Sequence, residues 1–311
     1  MRRCGRLPLA GPAVARAGGP RRGAPRAPRR VAALRGPSGR GADAALTPAP
    51  RPCRMAPVAD GAAAPGALRG ILPTWGMAIA AIAAARLAAR ADPSGLLAAN
   101  VGGVAAVAFV VLAERRLRAE GRTWADAGLP WWGLRDRRTW AAWGRGGLWA
   151  VAVAAVLFPI FAAAWWGWAW LSSRLPDGLA GVVGPYGLPP RLRPALPPRA
   201  ALAVATQLLV VALPEEMFYR GWMQTAWAAR APARRIRVLG ADLGAGFVST
   251  QALFALGHLV SLQPWRLATF FPGLLFGWAR ARTGSLAAPV LLHALSNLFL
   301  LALEASFLGP P

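Results

Sequence analysis

Three short runs place polar and ionisable side chains inside otherwise apolar stretches. The first is Leu213-Pro214-Glu215-Glu216-Met217-Phe218-Tyr219-Arg220-Gly221, the second Phe254-Ala255-Leu256-Gly257-His258, and the third His293-Ala294-Leu295-Ser296-Asn297. His258 and His293 are the only histidines in the 311 residues. Burying an ionisable group in an apolar span costs several kcal/mol, so such residues are rare there and mark function by default. On a helix, Glu216 and Arg220 share a face and can form an ion pair that lowers the cost of burying either one. Glu215 points about 100° away from Glu216, so the two carboxylates need not share a role. His293 and Asn297 face one side of their helix. Phe254 precedes His258 by one turn and is placed to shape a pocket wall. The chemistry open to such a set is water activation by a carboxylate and stabilisation of a developing oxyanion by preorganised donors.

Each cluster also has a plainer reading. A membrane histidine is more often a satisfied interhelical hydrogen bond than a catalyst, a Glu pair near a span end can be a solvated terminus, and Asn297 can be helix glue. Jointly these readings weaken, because both histidines and both mid-span acids fall in the last four apolar segments. Packing alone would need three coincidences.

The elements that must hold these residues are membrane helices. A crossing takes about 20 mostly apolar residues, and the candidates are 71–89, 95–113, 146–172, 199–228, 244–262, 266–281 and 286–306. Arg86 lies near enough to the end of the first to snorkel. The sixth is short and contains Pro272, which favours a kinked or re-entrant path. The fold class expected is all-α, a polytopic transmembrane bundle of about seven spans, or eight if 146–173 is divided or a loop dips inward. Arg69 and the Arg residues of 114–145, 229–243 and 280–282 put 15 on one side, against six on the other. The positive-inside rule then predicts a cytoplasmic N-terminus. Clustered tryptophans, among them Trp131, Trp132, Trp140 and Trp143, read as interfacial anchors.

Composition agrees. Apolar residues make up 56% and charged residues 15%, the mean hydropathy is +0.39, and 36 basic against 12 acidic residues give a net charge of +24. A disordered polycation is excluded by the apolar content, and a soluble nucleic-acid binder fits it poorly; basic loops between apolar spans satisfy both figures. All 36 bases are Arg, which with abundant Ala, Gly and Pro points to a high-GC bacterium and to its cytoplasmic membrane.

The charge is unevenly spread. Residues 1–54 contain 13 Arg and one acid, Asp43. Three segments follow: 1–68 as an Arg/Ala/Pro/Gly-rich leader, 69–198 as N-terminal transmembrane helices with a basic loop, and 199–306 as the helices bearing the clusters. The leader lacks periodicity and enough apolar surface to fold, so it is expected to be disordered, with Met55 the expected true start; an organellar transit peptide is the less favoured reading. Cys4 and Cys53 both fall in the leader, which leaves the rest without disulfides, thiolate metal sites or a cysteine nucleophile.

The ordered trio EExxxR, FxxxH and HxxxN resembles the CAAX protease and bacteriocin-processing family of intramembrane peptidases (CPBP or Abi), which includes the type II CAAX prenyl proteases. It stands here as EEMFYR at 215–220, FALGH at 254–258 and HALSN at 293–297. Trp124–Leu129 also resembles the Leu-Gly-Leu element that often precedes the core. The resemblance implies a glutamate endopeptidase. Glu215 would activate water, His258 would orient or polarise it, and His293 and Asn297 would stabilise the oxyanion. Glu216 and Arg220 would hold their helix in register. No cofactor is implied, and the partners are a peptide or membrane-protein substrate and the lipid bilayer, with no nucleic acid. Three alternatives use the same residues. Glu215, His258 and His293 could bind zinc and leave a position for water, although no HExxH pair enforces that geometry. The fold could also serve as a non-proteolytic scaffold or immunity factor. A proton-coupled transporter is disfavoured, because 71–89 and 95–113 carry almost nothing polar beyond Arg86 and Asn100.

Overall fold

The computed structural model describes residues 70–308 except 185, 187–190, 198 and 231–234. The leader expected over 1–68 lies outside the described residues. From Ile71 onward the chain runs α1 (Ile71–Arg90), α2 (Leu96–Ala119), α3 (Arg137–Ser172) and a short α4 (Asp177–Val183). Next comes α5 (Ala200–Ala229), then strands β1 (Ile236–Val238) and β2 (Ala241–Leu243), α6 (Ala245–Gly257), α7 (Phe270–Thr283) and α8 (Ala287–Phe307). Helices α1, α2, α3, α5 and α8 are each long and apolar enough to cross a bilayer. The protein is an integral membrane protein built as an all-α bundle.

Two of the seven expected spans are shorter than a crossing requires. The segment 244–262 forms α6 and a 3-10 turn from His258 to Ser261, and 266–281 forms a 3-10 turn from Pro264 to Thr269 followed by α7. Fourteen residues, the length of α7, rise only ~21 Å, short of a hydrocarbon core of about 30 Å. Leu262 adopts a left-handed φ of 58°, and Pro264 then begins the next turn, which keeps the two segments apart. The basic connection after α5 also contains a feature not expected from its composition, a small antiparallel hairpin pairing Ile236 with Leu243 and Val238 with Ala241. Its tip, Leu239-Gly240, has φ of 46° and 81°, as a tight hairpin turn demands.

Local chemistry explains the helix ends. Asp136 caps α3 by accepting from the Arg138 N–H at 2.8 Å. The Trp124–Leu129 element is a clamp. Ala127 O accepts from Arg280 Nη2 at 3.0 Å, and Gly128 O accepts from the Leu286 N–H at 2.8 Å. It therefore ties the loop after α2 to the start of α8. Within it the Asp126 carboxylate accepts from Thr123 Oγ1 and Thr123 N–H, and these bonds hold its pKa below the usual carboxylate range.

Burial is inverted relative to a soluble bundle. Leu148 is 75% exposed, Val156 65% and Ile160 63% on α3, whereas Thr74, Glu216, Arg220, Gln224, Gln251 and His293 are buried. Lipid tails solvate the outer apolar faces, so close packing and interior hydrogen bonds hold the helices together. One core cluster joins Ala78 and Ile82 of α1 and Phe109 of α2 to Phe218, Trp222 and Phe254. A second joins Ala150 and Ala154 of α3 to Phe276 and Leu292. Helix α3 lies along α8 at Gly146, where an added Cβ would fall 2.6 Å from Ala287 Cβ and 2.9 Å from the Ala287 backbone. Backbone cannot yield as a side chain tip can. Gly146→Ala is therefore expected to destabilise by about 1–3 kcal/mol through overpacking. Gly144→Ala, where a Cβ meets nothing within 4 Å, should be neutral or slightly stabilising. Thermal unfolding in detergent compares the two, and equal behaviour would refute the close approach.

Candidate active site

Helix α5 carries the first cluster on a distorted backbone. Its α-helical turn Leu213–Glu216 lies between two π-helical turns, Thr206–Ala212 and Met217–Met223. A π turn closes i→i+5 bonds and so holds one residue more than an α turn; such turns often accompany functional sites. Pro214 supplies a local cause, since it lacks the N–H that a regular helix would use there.

The two adjacent carboxylates have different surroundings. Glu216 and Arg220 are both 0% exposed and form an ion pair, with Arg220 Nη1 donating to Glu216 Oε1 at 2.7 Å. The same oxygen accepts from His293 Nδ1 at 2.8 Å. Glu216 therefore bonds both to Arg220 on its own helix and to the histidine of α8. Arg220 Nη2 donates to Gln251 Oε1 at 2.8 Å and to Gly273 O at 3.1 Å, and its guanidinium lies 4.3 Å from the centre of the Phe254 ring. Gln251 Nε2 in turn reaches Gln224 Oε1, and Gln224 Nε2 donates to Gly277 O at 3.0 Å. This network ties α5, α6, α7 and α8 together.

Glu215 stands apart from it. Its side chain is 18% exposed, and its Oε2 lies 4.0 Å from His293 Nε2. That is too far for a direct hydrogen bond and short enough for a bridging water. Glu215 Oε2 is itself buried without a hydrogen-bond partner. The carboxylate is within electrostatic range of His258 as well.

The histidines are held by their Nδ1 atoms. His258 begins the 3-10 turn after α6, and its Nδ1 lies 2.8 Å from Phe254 O. A carbonyl only accepts, so Nδ1 donates, and in the neutral ring Nε2 is the lone-pair nitrogen. His293 Nδ1 likewise donates to a carboxylate, which turns its Nε2 toward Glu215. Phe254 meets His258 edge-on at 4.7 Å and His293 edge-on at 6.1 Å, while Phe276 stacks on His293 at 4.6 Å. Phe254 thus touches the rings of both histidines. Asn297 is half-buried, and its Nδ2 donates to Gln207 Oε1 at 2.9 Å.

The structure therefore brings the first and third clusters into direct contact and joins the second to them through Phe254 and Gln251. Sequence reasoning missed Gln207, Gln224, Gln251 and Phe276. The signal for the three amides was their polarity within apolar helices. Both histidines are held through Nδ1, which leaves Nε2 on each, the same hydrogen-bonded arrangement that zinc-ligating histidines use; among the described residues no group of three His, Cys, Asp or Glu side chains converges to hold a metal ion.

Residues 197–299 match the family model described as type II CAAX prenyl endopeptidase Rce1-like. The match runs from just before α5 into α8 and contains all three clusters. This is the family that the three motifs resemble, and it supports a membrane peptidase of the CAAX protease kind. No curated protein and no solved structure matches the chain.

Removing one member of the buried pair leaves the other charge uncompensated. Arg220→Met is expected to cost about 3–5 kcal/mol. The double variant Arg220→Met with Glu216→Gln should recover part of that loss, because the two sites share one interaction. Thermal unfolding of Arg220→Met, Glu216→Gln and the double variant in detergent is the measurement, and additive losses would show that the pair is not coupled.

Proposed function

We propose that the chain is an intramembrane endopeptidase in which Glu215 activates the attacking water without a resident metal. The observation that carries this reading is the division of labour between neighbouring carboxylates. Each carboxylate has a buried Oε2 without a hydrogen-bond partner, but Glu216 is committed through Oε1 to Arg220 and His293, while Glu215 is 18% exposed and sets its Oε2 4.0 Å from His293 Nε2. Glu215 takes a proton from water as the water oxygen attacks the scissile carbonyl. His258, whose neutral ring presents Nε2 as an acceptor, orients that water. Asn297 faces the oxygen that becomes negative in the tetrahedral intermediate, and His293, held through Nδ1 by Glu216, donates to that oxygen from Nε2 in the form that carries both ring protons. Collapse of the intermediate breaks the C–N bond, and the proton held by Glu215 passes to the leaving amine. Exclusion of water by the surrounding helices strengthens each of these interactions.

The substrate class is a peptide or membrane protein whose scissile bond enters the bundle from the bilayer. On this reading the membrane is a bacterial cytoplasmic one, supported by the all-Arg basic composition, and the N-terminus is cytoplasmic, supported by the arginine bias of the loops. A farnesylated fluorogenic peptide ending in Cys-aliphatic-aliphatic-X is the probe, used with protein purified in detergent. Membrane proteomes of wild-type and Glu215→Gln cells are compared in parallel. Glu215→Gln is expected to lose about 10²–10⁴-fold in rate, the usual contribution of a positioned base, and to accumulate uncut substrate. Chelator treatment should leave the wild-type rate unchanged. Undiminished cleavage by Glu215→Gln would sink the reading, and abolition by chelator would restore the metalloprotease.

A further inference from the structure

Gln207 is a polar side chain that the motifs do not account for. It sits in the apolar first half of α5, and its Oε1 accepts from Asn297 Nδ2 at 2.9 Å across the interface with α8. The backbone explains how it gets there. Gln207 precedes Glu215 by eight residues, and in an unbroken α-helix eight residues rotate about 800°, leaving the two about 80° apart. The π turn Thr206–Ala212 takes up one extra residue, which brings that separation to about 20°. Gln207 and Glu215 therefore share a face of α5, and that face meets α8 along the side carrying His293 and Asn297.

An asparagine amide has two hydrogens on nitrogen, an oxygen that only accepts, and a terminal torsion with broad, roughly two-fold preference. Left alone, Asn297 can turn either end toward a reacting carbonyl. Its oxygen would repel an oxyanion; its nitrogen would stabilise one. With Gln207 Oε1 as acceptor at 2.9 Å, the Asn297 nitrogen faces Gln207 and its second hydrogen is left available.

We propose that Gln207 is a positioning residue of the active site, holding the Asn297 amide with its nitrogen presented to the oxyanion. This rests on the endopeptidase reading above and deepens it. Gln207 touches no reacting atom, so its effect must pass through Asn297.

A double-mutant cycle with the farnesylated fluorogenic peptide tests this in the full-length protein. Gln207→Met keeps the side-chain length and removes the acceptor; Gln207→Leu is the second variant should Met fail to fold. Asn297→Leu is expected to lower kcat about 10²–10³-fold, as loss of one oxyanion donor does. Gln207→Met should lower kcat about tenfold with KM unchanged, and should lower it no further in the Asn297→Leu background. A merely structural role would lower the unfolding temperature and the rate in both backgrounds alike. Multiplying effects, a raised KM with unchanged kcat, or an unaltered rate in Gln207→Met would each overturn the proposal. Failure of the underlying reading is separable, because it shows as full activity in Glu215→Gln, whereas failure of this inference alone leaves Glu215→Gln inactive.

Discussion

The fold of the last four helices turns on one oxygen atom. Glu216 Oε1 accepts from Arg220 Nη1 on its own helix and from His293 Nδ1 on α8, in surroundings with no exposure to solvent. A carboxylate in such a place must be paired and hydrogen-bonded, because an isolated charge there is prohibitively costly. Pairing fixes more than two residues. Arg220 has further donors to satisfy, and it reaches Gln251 on α6 and the Gly273 carbonyl on α7. A shift of any of these helices along its axis would strand a buried polar group. The ion pair thus sets helix register in a bundle where lipid supplies no hydrophobic drive between helices.

The same constraint shapes the site. Once Glu216 is committed, His293 is held by Nδ1 and has only Nε2 to offer, and Phe276 stacked on its ring restricts rotation. Glu215, one residue away on the helix, is turned out of the ion pair and remains partly exposed. In the proposed reaction the buried carboxylate orients and its neighbour does the chemistry. Adjacent, identical side chains differ in role because a helix turns about 100° between them.

The short elements serve the same end. Helices α6 and α7 are each shorter than the roughly 20 residues of a full crossing, and the backbone between them is 3-10 over His258–Ser261 and Pro264–Thr269, with Leu262 left-handed. Irregular backbone at membrane depth is tolerated where protein surrounds it or where it lines a cavity. Ending α6 at Gly257 sets His258 at a helix terminus, half-buried. Gly277 shows how tight the interior is, since a Cβ there would fall 2.8 Å from the Phe247 ring and 2.9 Å from Gln224 Oε1.

Much was legible in the sequence. Apolar stretches, the i,i+4 pairs Glu216/Arg220 and His293/Asn297, and the coincidence of both histidines with two mid-span acids required only helical period and the cost of buried charge. Those are local properties, and they determined the fold class, the clusters and the family resemblance. Tertiary structure decided the rest. Hydropathy shows that 244–262 and 266–281 are apolar but not where their helices end, so both read as full spans. The hydrogen-bond register of α5 depends on what packs against it, so its π turns had no signature beyond Pro214. Gln207, Gln224 and Gln251 are uncharged amides whose meaning lies in their partners, and those partners are 90, 53 and 31 residues away at Asn297, Gly277 and Arg220 respectively. A sequence states which groups must find a partner when buried; only the packed bundle decides which partner each one finds.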